Sequence, residues 1–135
     1  MYNDASLALI PSAVGDGVVY NARPVEVLGA ELVTNGDFDT DSDWTKGTGW
    51  TIGSGVATSD GTTSNLDQSS VLTTGASYKA TITVSSMTVG ALSFRLGSNP
   101  SDEAINITSN GTYTFYGDAG DTTLRLRSQS SFNGS

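Results

Sequence analysis

Asp37, Asp39, Asp41 and Asp43 stand at every second position, the first residues in the chain whose type and spacing suggest chemistry. Carboxylate oxygens are hard ligands that suit calcium. An EF-hand loop beginning at Asp37 is excluded. Its sixth position would be Ser42 where glycine is needed, and its twelfth would be Thr48 where glutamate is needed. A second group is cationic: Lys79, Arg95, Arg125 and Arg127, four of the six basic residues, fall on the polar positions of alternating segments. If their strands share a sheet, they form a mild basic face with Thr81, Thr83, Ser93 and Thr114. Such a face suits an acidic glycan or the acidic half of another copy; otherwise these are ordinary solvated strand residues. The third group is aromatic. Trp44, Trp50 and Tyr116 could each stack on a sugar ring. Tyr116 falls on the polar side of its strand and is the better exposed platform.

Catalysis is not expected. The chain has no histidine and no cysteine, which removes the commonest general base, thiolate chemistry and any disulfide framework. A hydrolase would then need paired carboxylates with one kept protonated by burial. The acids here lie among Asn, Gly, Ser and Thr, in segments that read as solvated turns. Asn106-Ile107-Thr108 matches the glycosylation pattern, but no secretory signal accompanies it and it reads as chance.

The elements that must position these residues read as strands. The 135 residues suffice for one ordinary domain. Charged residues are only 15%, and Ser, Thr, Gly, Asn and Asp fill the remainder, as in an antiparallel β protein with many turns. Tyr78, Ala80, Ile82 and Val84 alternate with Lys79, Thr81 and Thr83. Leu92, Phe94 and Leu96 alternate with Ser93 and Arg95. Tyr113 and Phe115 alternate with Thr112, Thr114 and Tyr116, and Leu124 and Leu126 with Thr123, Arg125 and Arg127. Leu66 to Leu72 reads as a further strand. Gly53-Ser54-Gly55 is a hairpin signal with Val56-Ala57-Thr58 returning. Turn signals recur about every ten residues, which favours a sandwich or barrel over a βαβ fold. Leu32–Asp39 reads as a strand entering a turn.

Residues 1–30 differ in wording. Leu7, Leu9 and Ile10 form a short apolar patch closed by Pro11, followed by the turn Gly15-Asp16-Gly17 and by Pro24. They read either as a strand and loops packed on the main domain or as an arm whose apolar patch meets another subunit. Ten acids against two bases in residues 1–67 account for the whole net charge of −8, since residues 68–135 balance. Nucleic acid would be repelled by that half. No apolar run approaches the roughly 18 residues a membrane span requires.

Leu32–Asp39, Trp44, Gly49-Trp50-Thr51-Ile52 and Thr74-Gly75-Ala76-Ser77-Tyr78 resemble the carbohydrate-binding-module-like jelly rolls of the galactose-binding-like superfamily. Asn35-Gly36-Asp37-Phe38-Asp39 is similar to that family's opening motif, and Asn110–Thr114 and Ser131–Ser135 fit its last third. The Thr/Ser-rich wording resembles domains on bacteriophage tail, fibre and head-decoration proteins, as does Ala5–Ser12 at the start. The resemblance implies an all-β antiparallel sandwich, a jelly roll, over residues 31–135 preceded by an extended arm over residues 1–30. It implies no enzyme but a virion structural protein, attached through its arm to other virion proteins. A homo-oligomer, for fibres or decorations a trimer, fits that setting. The second reading is a lectin-like module that binds a host-surface glycan in its own right. Trp44, Arg95, Tyr116 and Arg125 are the candidate sugar contacts, whereas the family buries the tryptophan that stands before its glycine hairpin, which implies a core position for Trp50. The family's structural calcium implies Asp39 as a metal ligand and no other cofactor. The family's last strand would begin where this sequence stops, so either the chain is a fragment or the open edge expected beside Leu32–Asp39 is filled by the arm or by a neighbouring subunit.

Overall fold

A computed structural model of the chain describes residues 27–135. The backbone divides between Ala30 and Glu31, and the fold below is that of Glu31–Ser135. It is all-β and antiparallel. Nine strands form in order: β1 (Thr45–Lys46), β2 (Trp50–Gly53), β3 (Val56–Asp60), β4 (Asn65–Gln68), β5 (Ser77–Val84), β6 (Val89–Arg95), β7 (Ala104–Ile107), β8 (Gly111–Asp118) and β9 (Leu124–Gly134). Seven of them make one sheet, and β5 with β8 makes a second, two-stranded sheet.

The eleven-residue β9 organises the large sheet. One edge pairs with β6; the other pairs first with β4 and then with β3. Its Leu124, Leu126 and Ser128 are buried, and so are Phe132 and Gly134 further on. Between them Ser130 and Ser131 take left-handed backbone angles, φ 49° and 64°. Ala91 opposes Gln129 and Val89 opposes Asn133, so two residues of β6 span four of β9. The two extra residues bulge the strand without changing side-chain parity, and Phe132 returns to the face that Leu126 occupies. Gly90 lies opposite the bulge with φ 92°; a Cβ there would collide with the backbone of Phe132.

The core forms where the two sheets meet. Leu66, Leu92, Phe94, Leu124 and Leu126 supply it from the large sheet, and Ala80 and Val84 from the small one, with Tyr78, Ile82, Tyr113 and Phe115 partly buried against them. Phe94 and Phe115 meet edge to face at 5.5 Å between centroids, a favoured aromatic geometry. The expected alternation of β5, β8 and β9 therefore holds; in β6 Leu92 and Phe94 reach the core as expected, but Ser93 between them, expected on the polar face, is buried as well. The hairpin at Ser54-Gly55 also forms, with φ 57° and 80° at its two central residues, and joins β2 to β3. Two expectations fail, and one strand was not expected. Leu32-Val33 is not a strand: it joins no ladder among the described residues and leads into a turn over Thr34–Asp37. The strand read from Leu66 to Leu72 ends at Gln68, where the chain turns. Ala104–Ile107 is a strand that its short, mixed wording did not announce.

Candidate functional site

The outer face of the small sheet carries four cross-strand ranks. Ser77 opposes Asp118, Lys79 opposes Tyr116, Thr81 opposes Thr114 and Thr83 opposes Thr112. Alternation places these side chains outward because Tyr78, Ala80, Ile82 and Val84 are drawn into the core. Each rank is internally bonded. The Ser77 hydroxyl donates to Asp118 Oδ1 at 2.6 Å. The hydroxyls of Thr81 and Thr114 lie 3.0 Å apart, and those of Thr83 and Thr112 2.9 Å apart. Lys79 Nζ stands 5.9 Å from the centre of the Tyr116 ring, within cation–π range, and Tyr116 is 63% exposed. Ranks follow one another at roughly 7 Å, twice the rise per residue of a strand. The result is a pre-ordered strip of hydroxyls with one aromatic ring beside one ammonium group.

Lys79 is thereby separated from the three arginines. The sequence placed all four on one face only if their strands shared a sheet, and β5 does not share one with β6 and β9. Arg95, Arg125 and Arg127 lie together on the outer face of the large sheet, where Arg95 opposes Arg125 and Arg127 opposes Ser93. Arg125 is the most constrained. Its Nε and Nη2 donate to the two oxygens of Asp67 at 2.8 and 2.6 Å, a bidentate pair, and its Nη1 donates to the Ser98 carbonyl. These bonds to Asp67 raise its pKa further, so its charge is permanent. Asp121 sits at the same end. Burial pushes its carboxyl up, but the Ser98 hydroxyl and the amides of Thr123 and Ser98 outweigh that and hold it below the usual carboxylate range.

The acidic stretch is arranged around Asn35. Asn35 has left-handed backbone angles, φ 49°, and its side-chain amide donates to the carbonyls of Thr40 and Ser42. Its own carbonyl accepts the Phe38 amide and the Trp44 indole N–H at 3.1 Å. Trp44 is half-buried with its ring 5.3 Å from Phe38, so its polar edge and one side of its ring hold the loop. Trp50 is buried against Phe132, as expected. Asp39 is exposed, and among the described residues no three acidic side chains gather as a metal would require. Leu7, Leu9 and Ile10 lie outside the described residues.

Gln68 is the residue that sequence reasoning missed. It is 3% exposed. Its side-chain oxygen accepts the Thr34 amide at 3.0 Å, and its Nε2 donates to the Thr34 carbonyl at 2.8 Å. One side-chain amide thus pairs Thr34 as a neighbouring strand would. The only signal in the sequence is a polar residue two positions after Leu66, on the face where an apolar one belongs.

No protein-family model matches the chain, and no curated protein or solved structure matches it either.

Proposed function

We propose that the chain is a non-enzymatic structural protein of a phage particle whose jelly-roll sandwich presents a glycan-contacting face, with residues 1–30 as the attachment arm. The observation that carries the contact surface is the outer face of β5 and β8. Sugars are bound by aromatic stacking and by arrays of hydroxyl and amide groups. Tyr116 supplies the ring, and the Thr81–Thr114 and Thr83–Thr112 pairs supply hydroxyls already held in place, which lowers the entropy lost on binding. The particle setting rests on the resemblance of the Thr/Ser-rich wording, and of Ala5–Ser12, to phage virion proteins. In the second reading the same face serves a free-standing lectin-like module. It has the same chemistry and differs only in attachment.

A glycan array probed with the full chain and with Tyr116→Ala tests the face. Binding that the substitution lowers about tenfold is the expected result, the size of one lost stacking contact. Array binding unchanged by Tyr116→Ala places the contact elsewhere. An antibody against the chain that labels intact purified particles supports the structural role; a chain recovered only free in the lysate favours the lectin-like module.

A further inference from the structure

Half of the chain's six basic residues meet on one small area of the large sheet, although acids outnumber bases by 14 to 6. Arg95 faces Arg125 directly across β6 and β9, and Arg127 lies diagonal to Arg95, a spacing of roughly 7–8 Å between backbones. Like charges placed so cost stability unless something answers them. Arg125 is answered by Asp67, and Asp121 and Asp102 add to its field. Arg95 and Arg127 form no ion pair among the described residues. Arg95 donates through Nη1 to the carbonyls of Asn99 and Pro100. Arg127 donates to the Asn65 side chain at 3.3 Å. Among the described residues these two positive charges have no counter-charge within ion-pair distance, in an acidic protein.

The second observation is independent of charge. Ser93 sits in the row between Arg127 and Asn106, next to Arg95 along β6. It is 0% exposed, and its hydroxyl has no hydrogen-bond partner among the described residues. A buried hydroxyl left unpaired costs about 1–3 kcal/mol, so its retention asks for a reason. Alternation turns it to the side where the arginines lie, since Leu92 and Phe94 on either side are in the core.

We infer that Ser93, Arg95 and Arg127, with Asn106 at the rim, form a binding site for a doubly charged oxyanion, a sulfate or phosphate group. Two guanidinium forks supply the charge and the planar donor geometry that such a group prefers. The Ser93 hydroxyl donates from the floor and loses its orphan status. This site is on the opposite sheet from Lys79 and Tyr116, and it stands whether or not those residues contact glycan.

Titration of the full chain with sodium sulfate, at ionic strength held constant with sodium chloride and followed by NMR, tests the site. Saturable shifts of the Arg95 and Arg127 Nε–H signals and of the Ser93 and Asn106 amides are expected. Arg95→Gln and Arg127→Gln should each weaken binding about tenfold, the value of one hydrogen bond to a charged group. Lys79→Gln should leave it unchanged. Ser93→Ala should weaken sulfate binding while leaving the melting temperature equal or higher, which separates a ligand role from a structural one. Sodium phosphate at pH 7.5 in place of sulfate distinguishes a phosphate site from a sulfate site, and saturation by either supports the assignment. Shifts that grow without saturating, or binding unaltered in Arg95→Gln and Arg127→Gln, would overturn it. So would saturation by acetate alone.

Discussion

Gln68 and Asn35 show how single polar side chains can stand in for a ladder. Among the described residues no strand pairs with Thr34, yet both its backbone groups are satisfied by the Gln68 amide. Removing that amide leaves a part-buried donor and acceptor without partners, at a cost of about 1–3 kcal/mol. Gln68→Ala should therefore lower the urea midpoint by that amount, with Asn35 and Trp44 reporting it first as their loop loosens. Asp121 acts through charge. Its folded-state pKa lies below the ordinary 3.8, so the folded carboxyl binds protons less readily than the unfolded one. Its contribution is present above the unfolded value and is lost as pH falls through the folded one. Between about pH 5 and pH 2, Asp121→Asn should flatten the fall of stability with acid. Denaturant midpoints measured across that range check it, and an unchanged slope would place the acid sensitivity elsewhere.

Among the elements, β9 and the β2–β3 hairpin were legible to different degrees for a physical reason. The hairpin is local. Two left-handed residues between paired strands define the turn, and Gly55 announces one of them. Ser54 occupies the other at φ 57°, where asparagine is better tolerated than serine. Ser54→Asn should raise stability by about 0.5 kcal/mol, seen as a melting temperature a few degrees higher. By contrast, β9 is visible in sequence only as Leu124–Arg127. Its extension through Ser131–Gly134 depends on a bulge at Ser130-Ser131 and on Gly90 opposite, a pairing across some forty residues of sequence. Likewise β7 is short, and its Ile105 and Ile107 count as core only because β6 lies beside it.

At the scale of the whole molecule, charge is uneven and poorly compensated. The described ion pairs are Lys46–Asp41 at the surface and the half-buried Arg125–Asp67. A net charge of −8 on 135 residues leaves self-repulsion that salt screens. Melting temperature should therefore rise between about 10 mM and 200 mM sodium chloride, where the Debye length falls from about 30 Å to below 10 Å. A fall would mean that attractive pairs dominate.

Composition and period-two alternation alone determined that residues 31–135 are all-β, which side of β5, β6, β8 and β9 enters the core, and that Tyr116 lies outside it. These are local properties, because a strand's two faces follow from the chain itself. The sequence could not assign strands to sheets. That assignment separated Lys79 from the arginines, set Arg95 against Arg125 and placed Ser93 among them. It follows from which strand lies beside β9, and β9's neighbours β4 and β6 are about sixty and thirty residues away in sequence. Only tertiary packing brings such segments together, so only the folded chain decides which surface residues form a site.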